Sequence, residues 1–198
     1  MFRMRALPFF LLLVHLFAGC NPGGGNIAAG PDSTTRFLPV TAFIESELTG
    51  LDSLQVNPMH LITVNGRTDS FWLQTPGEAK KILQPFTEHP ISDTNLCRYF
   101  HETKFNDLSV NAVTFTYQPK EITQARSPIR NWNVYVNNAT GKMQRIYLVK
   151  RFNADGKETE QQLTWVSDKW AKITTLAGDG AGPLRLVREE KVVWNFND

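Results

Sequence analysis

The sequence predicts an α+β domain: a single twisted antiparallel sheet of about seven or eight strands, with about three helices packed on one face. Three observations lead there. Apolar residues early in the chain recur at helical steps, as in Phe37, Val40, Ile44, Leu48 and Leu51. From about residue 110 the apolar period becomes two, as in Val113, Phe115 and Tyr117. Short turn-forming stretches such as Asn65-Gly66 and Asn153-Ala154-Asp155-Gly156 separate the strands, and such connections demand antiparallel neighbours.

The first segment is a leader. Arg3 and Arg5 precede an apolar run from Leu7 to Phe17, broken by Pro8 and His15, and Ala18-Gly19-Cys20 follows. Positive, apolar and small-residue parts in that order make a secretory signal. The apolar run is about half of the roughly 20 residues that a spanning helix needs, so it argues against a membrane span. The cysteine at the cut makes the segment resemble a bacterial lipoprotein signal, with Phe17 where leucine is commoner. That resemblance implies cleavage between Gly19 and Cys20, a diacylglyceryl thioether on Cys20 and an acyl group such as palmitate on its new amine. One myristoyl chain gives only reversible binding, at about 0.8 kcal/mol per buried CH₂, so two or three chains would hold the protein firmly. Asn21, rather than aspartate, follows the cysteine, which the resemblance reads as outer membrane over inner membrane. The membrane is thus an expected partner, reached through lipidated Cys20.

Residues 20–36 read as a flexible tether, with Asn21-Pro22-Gly23-Gly24-Gly25-Asn26 offering no apolar side chain to pack. Residues 37–198 read as one domain, and cleavage would leave 179 of the 198 residues, enough to bury a core. Without Arg3 and Arg5 the 21 basic side chains fall to 19, matching 19 acidic ones. A formally neutral chain gives no support to a nucleic-acid partner. With Cys20 lipidated, Cys97 is the remaining thiol and no internal disulfide can form. Its setting between Leu96 and Tyr99-Phe100 reads as packing.

Within the domain, Phe37 to Leu51 with Phe43 predicts a helix from about 38 to 53, weakened by Gly50. Met59 to Val64 and Arg67 to Gln74 form a hairpin about Asn65-Gly66. Thr75-Pro76-Gly77-Glu78 reads as a capping box opening a second helix, whose inner face is Ala79, Ile82, Leu83 and Phe86. His89-Pro90 ends it. Ser92 or Asp93 can cap a short third helix with Leu96, Cys97 and Phe100 inward. A strand around 113–117 leads to a loop over about 119–130. Strands at 132–137, 143–152, 158–166, 170–176 and 184–196 complete the sheet, with a glycine-rich loop over about 177–183. The strand at 143–152 is apolar on both sides, Met143, Tyr147 and Val149 against Ile146, Leu148 and Phe152, which places it inside the sheet. Something must also shelter its second face. The strand at 158–166 sets Leu163 and Trp165 against Glu158, Glu160, Gln162 and Thr164, so one of its sides should be solvated.

Motifs for chemistry are weak. Gly178-Asp179-Gly180-Ala181-Gly182 lacks the Lys-Ser/Thr of a phosphate loop and precedes a strand. His60, His89 and His101 have no second ligand at metal spacing, and each reads as a surface residue. No G-x-S-x-G elbow surrounds Ser53, Ser70, Ser92 or Ser109. The pairs Glu45/Glu47, Glu158/Glu160 and Glu189/Glu190 read as solubilising charge: the first does not share a helix face, and the third points to opposite sides of a strand. Trp72, Trp132, Trp165, Trp170 and Trp194 all fall on strands, where core is the simpler role and a platform for sugars or apolar ligands the alternative. Asn138-Ala139-Thr140 is most simply a turn. No catalytic residue, metal or cofactor is expected.

The order is lipidated cysteine, glycine-rich tether, helix, Asn65-Gly66 hairpin, capped helix, short helix, then strands ending Val192-Val193-Trp194. This layout resembles the small Bacteroidota-type lipoproteins, which implies an envelope location and no activity. The expected function is a non-enzymatic, lipid-anchored envelope module that binds an envelope protein or an apolar or sugar ligand. One alternative is a lipid or lipoprotein carrier with an apolar half-barrel cavity. Another is a hydrolase with scattered residues, for which a histidine beside a carboxylate in a deep cleft is the structural sign.

Overall fold

Strands β1 (Met59–Val64) and β2 (Arg67–Trp72) form the first hairpin, and β3 (Phe100–Asp107), β4 (Ala112–Pro119), β5 (Ile129–Asn137), β6 (Met143–Ala154), β7 (Lys157–Val166), β8 (Trp170–Gly178) and β9 (Arg185–Val193) follow as a continuous meander. The computed structural model describes residues 37–53, 57–88, 96–124, 127–180 and 182–196. Gly19, Cys20, the tether, His89, Ser92 and Asp93 lie outside them. The residues described form one compact unit.

The sheet is antiparallel throughout, in the order β2-β1-β9-β8-β7-β6-β5-β4-β3. It has nine strands, where the sequence predicts seven or eight. The extra strand is β3. Only Phe100 of its residues is buried, so its sequence shows no alternation, and pairing with β4 defines it. The meander closes on the hairpin because β9 pairs with β1 from Met59↔Val193 to Thr63↔Glu189. This leaves β2 and β3 as the two edges.

The turns follow the sequence closely. Asn65 (φ 52°) with Gly66 (φ 75°) and Asp155 (φ 51°) with Gly156 (φ 75°) hold two consecutive left-handed residues, as a type I′ hairpin turn requires. Asparagine, aspartate and glycine are the residues that tolerate this conformation.

Helix α1 (Val40–Gly50) continues as a 3₁₀ turn over Leu51–Ser53, and α2 (Pro76–Leu83) as one over Gln84–Phe86. The capping box predicted for α2 does not form, and Glu78 reaches one residue further back. Glu78 accepts a hydrogen bond from the Gln74 backbone N–H at 3.0 Å, while the Thr75 side chain makes no cap. The third helix is a single turn, α3 (Leu96–Tyr99), and Phe100 already belongs to β3. A further turn, α4 (Glu121–Gln124), occupies part of the predicted 119–130 loop. It is fixed by Thr123, whose hydroxyl donates to the Tyr99 carbonyl at 2.7 Å.

The core lies between these helices and one face of the sheet. Register puts Ile146 opposite Trp165 and Leu148 opposite Leu163, so all four project to the same side. They meet Val40, Ile44 and Leu48 of α1 and Ala79, Leu83 and Phe86 from α2 and its 3₁₀ extension. Trp165 packs edge-on to Phe86 at 5.3 Å and against Trp194 at 5.2 Å. β6 is an interior strand with Tyr147 and Val149 on its second side, as its sequence predicts. Met143 departs from that alternation. A bulge beside Tyr135/Val136 pairs it with Val136, and it packs against the core.

Two charged residues, one inside the core and one at its rim, are invisible to the pattern. Lys150 is buried on the helix-bearing face, and its ammonium donates to the Pro85 carbonyl at the end of the α2 extension. Burial lowers its pKa to about 8. Glu47, predicted to be a solubilising charge, is a clamp. Its carboxylate accepts from Trp165 Nε1–H at 3.0 Å, Ser167 Oγ–H at 3.0 Å and the Asp168 N–H at 3.1 Å, fastening α1 to the β7–β8 turn.

Candidate functional site: the open edge at β2

All six residues of β2 are exposed, and among the described residues its outer backbone has no strand partner. Phe71 and Trp72 end this strand at 47% and 52% exposure. They are neighbours on a pleat, so they project to opposite faces. Phe71 pairs with His60 and touches its ring edge-on at 5.0 Å, while Trp72 meets Phe196 at 5.5 Å. Phe196 is exposed beside Trp72, while Val64, Leu186 and Val187 are exposed at the opposite end of these strands, toward the β1–β2 turn. An edge strand is a template for another chain, and proteins usually blunt it with charge. Here Arg67 and Asp69 charge one end, and the other end carries two aromatic rings.

Beneath Phe71 lies a polar chain. His60 is 3% exposed, a correction to its reading as a surface residue. Its Nε2 stands 3.2 Å from Glu190 Oε1, and that oxygen takes a hydrogen bond from Arg188 at 2.9 Å. Neither ring nitrogen of His60 has an aligned hydrogen-bond partner among the described residues. Burial lowers the His60 pKa below 6.5, and Glu190 opposes that shift without overcoming it. The adjacent Glu189 points to the other face, as the strand alternation predicts, and pairs with Lys172 at 3.2 Å.

A histidine beside a carboxylate is the arrangement a hydrolase reading asks for. The ring is closed off beneath Phe71, however, and among the described residues no serine or cysteine side chain bonds to it. Ser53 donates to the Gly50 carbonyl and Ser109 to Asp107. Cys97 is half-buried and packs against the core. His101 is exposed on β3. Among the described residues, then, no nucleophile is delivered to His60 and Glu190.

The other predicted residues separate clearly. Trp132, Trp165 and Trp194 are core, Trp170 is half-buried under Lys191 at 4.5 Å, and Trp72 is exposed. Glu158 and Glu160 share a face around Arg151, with Glu160 held at 2.6 Å and Glu158 at 3.8 Å. That shielded pairing makes Glu160 a buried charge rather than a solubilising one. In the glycine-rich segment, a Cβ on Gly178 would come within 3.1 Å of the Leu184 side chain, so close packing explains glycine there. Among the described residues no group of three or more histidine, cysteine, aspartate or glutamate side chains could hold a metal ion. Among them, too, no helix is long and apolar enough to cross a membrane.

No protein-family model matches the chain, and no curated protein matches it in sequence.

Proposed function

We propose that the protein is a non-enzymatic envelope lipoprotein, anchored through acylated Cys20, that binds a partner protein along β2. The observation that carries this reading is the exposed edge strand ending in Phe71 and Trp72. An extended partner segment can add to such an edge through backbone hydrogen bonds, and aromatic side chains then select it. Tryptophan and other aromatic residues supply much of the affinity at protein interfaces. The tether and the charge-neutral domain fit a body held close to a bilayer without lying flat on it.

The anchor and the edge are tested separately. Mass spectrometry of the mature N-terminus from the native host should find an acylated Cys20, and a free thiol there removes the anchor. A photo-crosslinking residue at position 72 should trap one discrete partner that the Phe71→Ser variant loses. The same residue at exposed position 157 should trap none. Equal crosslinking from positions 72 and 157 would rule out the edge as the docking surface.

A further inference from the structure

On the face of the sheet opposite the helices, the β5–β6 and β7–β8 turns enclose a groove of about 450 Å³. Sites for small ligands commonly span about 300–1,000 Å³. Register builds the groove. Tyr135 opposes Arg145, and Arg145 opposes Val166, so the three side chains stand side by side across β5, β6 and β7. Their neighbours Val134, Ile146 and Trp165 point the other way, into the core.

The lining divides by chemistry. Tyr135 and Val166 supply apolar surface, and Lys142, Arg145 and Lys169 supply three cations against one carboxylate, Asp168. Lys80, Lys104, Arg151, Lys172 and Arg188 each pair with a carboxylate. Among the described residues Lys142, Arg145 and Lys169 form no such pair. The second carboxylate at the β7–β8 turn, Glu47, is already filled by Trp165, Ser167 and the Asp168 N–H. Both walls are held in place before any ligand arrives. Glu47 fixes one turn, and Asn137 fixes the other by accepting from the N–H groups of Ala139 and Thr140 at 2.9 and 3.0 Å. Walls ordered in advance reduce the entropy lost on binding.

We infer that this groove binds an amphipathic anion: a phosphate or carboxylate gripped by Arg145 with Lys142 and Lys169, joined to a short apolar chain lying on Tyr135 and Val166. The arginine fork matches either oxyanion in bidentate geometry, and the lysines add charge. An acyl carboxylate and a lipid phosphate present this same chemistry. The site is independent of both the anchor and the β2 edge.

Isothermal titration of the full chain tests it with octyl phosphate, octanoate, inorganic phosphate and octyltrimethylammonium. Octyl phosphate or octanoate should bind at least about tenfold more tightly than inorganic phosphate, and the cation should not bind. Arg145→Glu should weaken the octyl anion by about tenfold or more, which corresponds to about 1.4 kcal/mol. Lys157→Glu, at the distant β6–β7 turn, should leave it unchanged. If Arg145→Glu fails to fold, Lys169→Glu makes the same test from the turn. Binding of the octyl anion no tighter than inorganic phosphate overturns the inference. So does equal binding of the cation, or undiminished affinity in the charge-reversed variant.

Discussion

Trp165 and Trp72 are the same residue on strands of the same sheet, and they live in different worlds. Trp165 lies under α1 and α2 with no exposed surface, and its indole N–H is taken by Glu47. Trp72 is 52% exposed and leans on Phe196 at the edge of the sheet. Around Trp165 each neighbour is specified by volume and by hydrogen bonding, as a close-packed interior requires. Around Trp72 little constrains the side chain beyond one ring contact. A large aromatic residue with so little packing contributes little to folding and is free to meet another molecule. The centre of the sheet therefore holds the fold together, while the edge is open to selection for binding.

The strongest way to break this contrast is to truncate both rings. Trp165→Ala should cost about 3–5 kcal/mol in urea unfolding, because it removes a buried ring and leaves a cavity. Trp72→Ala should stay within about 0.5 kcal/mol. Similar costs at the two positions would erase the distinction.

Next comes the buried ammonium of Lys150, whose native pKa is lowered from 10.5 to about 8. Between those values the unfolded chain holds a proton that the native chain has lost. Unfolding then takes up a proton, so stability rises as pH climbs from about 8 toward 10.5. The gain should reach about 3 kcal/mol, at roughly 1.36 kcal/mol per pKa unit. Tyr147, raised above 10.0 by burial, works against it at the top of that window. Lys150→Met should abolish the rise, as read from urea midpoints across the pH series.

Glu47→Ala sharpens the account of the core from its rim. It strands the Trp165 indole N–H and frees the β7–β8 turn, and should cost about 1–3 kcal/mol. Combined with Trp165→Phe, it should cost less than the sum of the two single variants, since phenylalanine needs no acceptor.

The smallest effect belongs to His60, which stands near the edge but is buried. Its pKa is lowered below 6.5, so below that pH the unfolded chain binds a proton that the native ring resists. Stability should therefore fall as pH drops through 6.5, and His60→Gln should flatten that slope in thermal melts.

Much of the architecture was legible in residue order. Asn65-Gly66 and Asp155-Gly156 announce their turns through the conformations only such residues tolerate. The helical stripe of Val40, Ile44 and Leu48 and the two-sided β6 announce what they bury. β3 was not legible, because an edge strand packs one buried side chain and needs no period. Glu47 and Lys150 were not legible either, since a lone charge in a stripe looks the same whether it faces water or a distant indole or carbonyl. The β2 edge was half legible: the hairpin could be read, but the exposure of Phe71 and Trp72 could not.

Local rules, then, set this protein's turns, its helices and its alternating strands, because each depends on residues only a few places apart. Strand order, the Met143 bulge, the Glu47 clamp, the cationic groove and the choice of which tryptophan stays outside depend on residues tens of positions apart. Only the full set of strand pairings from β2 to β3 brings those residues together, and no pattern along the chain can state which neighbours that pairing will supply.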